Sequence, residues 1–227
     1  MNPDELARAL RLYLIADPDH CDGDLVAATR EALLGGVTLV QLRAKSLSDR
    51  ELVIVGSHLR SLTRERNVPL IINDRVDIAL AVDADGVHLG VNDLHPANAR
   101  AIAPPPFIIG YSPDDQQDTA GADADYLGIG PVFGTSSKGD AGTALGIRAF
   151  SRRIADCSVP VVGIGGVTAD NAGDVVRAGA DGVAVISAIL RDPAPREAAR
   201  RLLRSVTSAA AAPTGDVPDP SATARQR

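Results

Sequence analysis

Gln41, Arg43 and Lys45 occupy alternate positions in GGVTLVQLRAK, residues 35–45. Val37, Leu39, Val40 and Leu42 make the same stretch apolar enough for a buried strand. Strand side chains alternate, so the three polar groups project to one face. Two are cations, and burying unpaired charge is costly, so an anion or water must meet them. Arg43 offers a fork that suits phosphate oxygens, and Lys45 a mobile point charge. Lys138 adds another cation within GPVFGTSSKGDAGTALG, residues 130–146, which is long for a strand-to-helix connection and suggests a mobile flap.

Asp74 and Asp93 also follow apolar runs. Two carboxylates beside a polyanion make sense when a divalent cation lies between them. Mg²⁺ fits, because it takes one or two carboxylates together with substrate phosphates. No His/Cys cluster favours zinc. Asp74 has a second reading, as the N-cap of a following helix. A further anion site is expected at Gly165-Gly166, where the backbone can approach a ligand. A helix beginning near Thr168 and the segment starting at Ser187 would add free N–H groups. The alternative for that pair is a tight turn that needs glycine. His88 reads either as a hydrogen-bonded core residue or as a catalytic one, and His20, His58 and His95 as surface residues. No nucleophile elbow, GxGxxG or Walker loop is present.

Short apolar runs that alternate with helical patterns must position these groups. Strands are expected at 12–16, 38–43, 69–72, 86–89, 107–110, 126–130, 160–164 and 182–186. Helices are expected at 24–34, 49–65, 75–82, 96–102, 114–121, 146–156, 169–178 and 194–207. Ser48-Asp49-Arg50-Glu51 reads as a capping box and Thr168 as an N-cap. ADGVHLG, ADYLGIG and ADGVAVI repeat one plan, Ala-Asp and then an apolar strand. Eight such units imply parallel pairing and a (β/α)₈ barrel, with an open doubly wound sheet as the alternative. In a barrel the site lies at the C-terminal strand ends, where Arg43, Asn73, Asp74, Asp93, Ser112, Gly166 and Ser187 all fall. Residues 1–208 form this domain. Residues 209–227, rich in Ala, Pro, Ser and Thr, read as a disordered tail.

The 227 residues carry a formal net charge of −6, which argues against a general nucleic-acid binder. Cys21 and Cys157 form no CxxC and fit a reducing compartment. The charged N-terminal stretch lacks an export signal, and no apolar run reaches the ~18 residues of a membrane span. The expectation is a soluble cytoplasmic protein.

Five ordered motifs resemble the thiamine-phosphate synthase family over about residues 11–192. They are GGVTLVQLRAK, LIINDRVDIALAVDADGVHLG, DYLGIGPVFGTSSKGD, VPVVGIGGVTADN and AGADGVAVISAI. The resemblance implies condensation of an aminopyrimidine methyl diphosphate with a thiazole phosphate, releasing diphosphate in the presence of Mg²⁺. It implies that Gln41, Arg43, Lys45, Asn73, Ser112 and Lys138 bind the pyrimidine diphosphate, with Arg43, Lys45, Lys138 and Ser112 acting in catalysis. Thr135, Ser136, Ser137, Gly166, Ile186 and Ser187 would hold the thiazole phosphate, and Asp74 and Asp93 the metal. It also suggests a homodimer. The chain departs from the family's usual pattern at Ala44, Val91, Pro113-Asp114 and Ser137. A related thiazole tautomerase shares the barrel and the phosphate site, but places His just after the strand-5 Ser, where this chain has Asp114. That isomerase would not require Asn73-Asp74, Asp93 and Lys138. A silent thiazole phosphate binder is the remaining alternative, and it need not keep the carboxylates Asp74 and Asp93 or a second, diphosphate-sized site.

Overall fold

The computed structural model describes residues 1–114, 121, 123–135 and 142–211. Eight parallel strands close into a barrel in chain order. They are β1 (Leu12–Ala16), β2 (Leu39–Leu42), β3 (Leu70–Asn73), β4 (Gly86–Gly90), β5 (Ile108–Ser112), β6 (Tyr126–Ile129), β7 (Val161–Ile164) and β8 (Gly182–Val185). Barrel strands covered by helices are buried on both faces, which is why each reads as a nearly unbroken apolar run. The open-sheet alternative is excluded by the pairing of β1 with β8, Leu12 opposite Val183.

The helices are α1 (Pro3–Ala9), α2 (Leu25–Leu34), α3 (Asp49–Arg64), α4 (Val76–Ala81), α5 (Pro96–Ile102), α6 (Gly146–Ile154), α7 (Ala172–Arg177), α8 (Ser187–Leu190) and α9 (Pro195–Ala211). The expected capping box opens α3, with Ser48 and Glu51 satisfying each other's backbone N–H groups. Thr168 does not cap α7. Asn171 instead folds back to accept the Thr168 N–H at 2.8 Å, so a turn precedes the helix and delays its start to Ala172. The four-residue α8 was not anticipated, and α9 runs through Ala211, past the expected domain boundary at 208. Residues 115–120 of the expected helix at 114–121, and residues 212–227 of the expected tail, lie outside the described residues.

The repeated Ala-Asp has a mechanical meaning at the strand starts. The Asp85 carboxylate accepts the first N–H of β3 at 2.8 Å, while its own N–H donates to the Leu70 carbonyl. Asp125 makes the same pair of bonds to Ile109, and Asp181 to Val161. Thr38 does this with its hydroxyl, accepting the Leu12 N–H at 2.8 Å. Four clamps thus tie each even strand to the odd strand before it. Arg60 of α3 grips Asp85 with two bonds and Arg100 of α5 grips Asp125, so helices reinforce two of the clamps. A one-residue slip would turn every barrel side chain to the other face, and these bonds oppose it.

Register decides what faces the lumen. Leu42 points outward, against Gly56 of α3, and Ala44 packs in the same outer core. Gln41 therefore points inward, and Arg43 follows it toward the cavity mouth.

Candidate active site

A cavity of about 940 Å³ opens at the C-terminal ends of the strands. It brings together Arg43, Lys45, Asn73, Asp74, Asp93, Ser112, Thr135, Gly166, Ile186 and Ser187. Ser136, Ser137 and Lys138 lie outside the described residues. Gln41 does not line the cavity. It is 2% exposed and its side-chain amide donates to Tyr13 Oη at 2.5 Å, below the floor.

Gln41 instead opens a hydrogen-bonded chain across the lumen. Tyr13 Oη meets Tyr126 Oη at 2.8 Å, Tyr126 Oη meets His88 Nδ1 at 3.0 Å, and His88 Nε2 meets Ser112 Oγ at 2.9 Å. Burial pushes both tyrosine hydroxyls well above their ordinary pKa, so they remain neutral. Glycines make the room: a Cβ on Gly110 would stand 2.4 Å from Tyr126 Oη and 2.5 Å from His88 Nδ1. His88 is hydrogen-bonded within the barrel, as the first reading expects, and its half-buried ring also lines the cavity. The chain fixes the Ser112 hydroxyl from below.

The carboxylates are placed by backbone. The Asp74 N–H donates to the His88 carbonyl at 2.8 Å, which extends the β3–β4 pairing one residue beyond β3. Asp74 then adopts φ 63°, a left-handed conformation that Asp tolerates better than most residues. It caps no helix; Arg75 occupies the N-cap of α4 and makes no side-chain capping bond to it. Across from it, Asp93 closes a turn by accepting the Gly90 N–H at 2.7 Å. Burial, and then the facing Asp93, raise the Asp74 pKa from 3.8 to about 6, although Lys45 sits 3.7 Å away. Two acidic side chains held against their own repulsion form a hard-oxygen donor pair that suits a divalent cation. No cluster of three or more His, Cys, Asp or Glu suited to a metal exists among the described residues. A cation held by two carboxylates would keep coordination positions for other oxygens.

The cations have partners. Arg43 Nη1 donates to Asp17 Oδ2, and Asp17 is fully buried. The anion expected to meet Arg43 is therefore, in the first instance, part of the protein. His20, expected at the surface, is half-buried, with Nδ1 3.3 Å from the same carboxylate oxygen. His95 is exposed and its Nδ1 accepts the Ala97 N–H to cap α5. Arg153 of α6 was also missed; it lines the cavity and donates to the Pro113 carbonyl at 2.7 Å.

At the far side, Gly165 and Gly166 have φ 94° and 64°. The chain after β6 runs over them: the Phe133 N–H donates to the Gly165 carbonyl at 3.0 Å. A Cβ on Gly166 would come within 2.5 Å of the Gly134 carbonyl and 2.7 Å of Phe133 Cβ. The glycine pair is thus demanded by packing, which sets Gly134 against Gly166, and Thr135 follows it on the cavity wall. The Thr168 N–H, expected to be free for an anion, is taken by Asn171.

Among the described residues no helix is long and apolar enough to cross a membrane. A sequence model of thiamine monophosphate synthase matches residues 12–189. Thiamine-phosphate synthase of Moorella thermoacetica is 48% identical over 183 residues, 79% of this chain and 87% of the relative. The synthase of Desulfitobacterium hafniense strain Y51 is 49% identical over 196 residues, 85% of this chain and 95% of the relative. A solved thiamine phosphate pyrophosphorylase from Pyrococcus furiosus superposes with a TM-score of 0.82 at 40% identity, covering 90% of this chain and 98% of that one.

Proposed function

This chain belongs to the thiamine-phosphate synthase family, and from that premise we propose how its cavity performs the reaction. An aminopyrimidine methyl diphosphate binds with its leaving group toward Arg43, Lys45, Asn73 and Lys138. A hydroxyethylthiazole phosphate, with or without a ring carboxylate, binds beside Thr135, Ser136, Ser137, Gly166, Ile186 and Ser187. The observation that carries this reading is the meeting of Arg43 and Lys45 with the Asp74–Asp93 pair in one cavity.

Chemistry then follows from charge. The bond between the pyrimidine methylene and the diphosphate oxygen breaks, leaving a pyrimidine-methyl cation. The thiazole nitrogen captures that cation through a new C–N bond. Arg43 and Lys45 face the oxygens on which negative charge grows, so they act most strongly in the transition state. Asp74 and Asp93 would hold Mg²⁺, which when bound neutralises charge on the leaving group. Ser112, fixed through His88, orients the pyrimidine, and Gln41 supports the floor through Tyr13 instead of touching the diphosphate. No protein nucleophile is required. Homodimeric assembly and a cytoplasmic location complete the proposal; sedimentation and fractionation test them.

The test is direct. Purified protein, both substrates and Mg²⁺ should yield thiamine phosphate and diphosphate in equal amounts. Absence of the product would refute the reading.

A further inference from the structure

We infer that Asp17 is a positioning residue, an internal carboxylate that aims Arg43 at the diphosphate oxygens. The inference rests on the proposed placement of that leaving group. Asp17 directly follows β1 and is wholly buried, whereas Arg43 reaches the cavity with 11% of its side chain exposed. The carboxylate is itself immobilised. Its Oδ1 accepts the Asp19 N–H at 3.0 Å, which makes Asp17 the cap of a short 3₁₀ turn at Pro18–His20. Its Oδ2 accepts Arg43 Nη1, with His20 Nδ1 nearby.

Arg43 is gripped at its other end too. Its backbone N–H donates to the Ala16 carbonyl at 3.0 Å, so both ends of Arg43 are referred to adjacent residues, the last of β1 and the one after it. A second tie, Ser46 Oγ to Asp19 Oδ1 at 2.8 Å, joins the same two loops. A guanidinium has five N–H donors, and Asp17 engages Nη1, so others remain for ligand oxygens. Arginine normally loses rotamer freedom when it binds an anion. Here that ordering is complete before the ligand arrives, and the charge of Arg43 is balanced meanwhile.

Stability alone is a weak reason for such a pair, because desolvation of two buried charges offsets their attraction. Removing one partner is a different matter, since it strands the other charge. The test therefore uses Asp17→Asn, which keeps an acceptor of the same shape, beside Asp17→Ala. Folding of each is verified by circular dichroism.

The probe is inorganic diphosphate with Mg²⁺, titrated by calorimetry in a double-mutant cycle with Arg43→Ala. A hydrogen bond to a charged group is worth on the order of 10- to 100-fold in affinity. Asp17→Ala should thus weaken diphosphate binding by about 10- to 100-fold when Arg43 is present and by less than about twofold when it is absent. Asp17→Asn should recover most of the loss. Equal losses in both backgrounds, or tighter binding without Asp17, would overturn the inference while leaving the substrate assignment standing. If Arg43→Ala binds diphosphate as the wild type does, the placement of the leaving group fails first, and the inference falls with it.

Discussion

Replacing Asp74 with Asn should make the metal-free protein more stable while destroying its metal response. Folding raises the Asp74 pKa from 3.8 to about 6, about two units, each worth about 1.4 kcal/mol. At pH 7 the folded state therefore carries a penalty of about 3 kcal/mol for keeping this group ionised. The side chain is 27% exposed, so solvent screening reduces the figure. Asn also forfeits the contact with the half-exposed Lys45, worth at most about 0.5 kcal/mol. A gain of about 1–2 kcal/mol remains, or roughly 3–6 °C in Tm for a domain of this size. Asn suits the left-handed backbone at this position, so no strain offsets the gain. Because the folded pKa lies above the unfolded one, protonation relieves the penalty as pH falls. The advantage of the variant should be complete above about pH 6 and gone below about pH 4. Chemical denaturation in chelator at pH 7 and pH 4 reads this directly. Mg²⁺ at ten times its Kd should then stabilise the wild type by about 1.4 kcal/mol and leave the variant unmoved. A variant destabilised at pH 7 in chelator would refute the account of two carboxylates held against repulsion.

Turnover should vanish in excess chelator and return with Mg²⁺, and Mg²⁺ affinity should weaken below about pH 6 as Asp74 takes a proton; full activity in chelator would remove the metal role. Gly166→Ala should cost about 1–2 kcal/mol through its left-handed backbone, with added strain from Gly134 and Phe133, and should weaken thiazole phosphate binding more than pyrimidine diphosphate binding. Unchanged stability in a melting experiment would contradict the packing argument. Tyr126→Phe should cost about 1–3 kcal/mol, because Tyr13 and His88 each lose a buried partner. A neutral denaturation midpoint would show that the lumen chain carries no stability.

The strands were legible because burial on both faces leaves a continuous apolar run, and each observed strand begins and ends within two residues of expectation. Strand ends located most of the site for the same reason: polarity at the end of an apolar run is conspicuous. Asp17 escaped because its significance lies in a partner 26 residues away on another strand, which no local pattern announces. Tyr13 and Tyr126 looked like ordinary core aromatics, since sequence does not show where a hydroxyl points. Gln41 was assigned to the right face but the wrong depth: alternation gives direction, and only the closed barrel shows that its reach ends at Tyr13. The recurring Ala-Asp was visible as a repeat, but its bond to the neighbouring strand requires the parallel register.

Thr38, Asp85, Asp125 and Asp181 close spans of 26, 15, 16 and 20 residues. Short spans lose little loop entropy and form fast, so each strand pair can assemble long before Leu12 meets Val183. The barrel is in this sense four quarters, and the backbone should be divisible where quarters join. A break within 103–107, between α5 and β5, leaves all four strand-to-strand clamps inside one fragment or the other, although it parts Arg100 from Asp125. A break at 82–84, between α4 and β4, parts Asp85 from Leu70. Coexpressed halves divided at the first place should reassemble into a soluble complex, and halves divided at the second should not; equal yields would mean that the clamps bind strands without organising the chain into units.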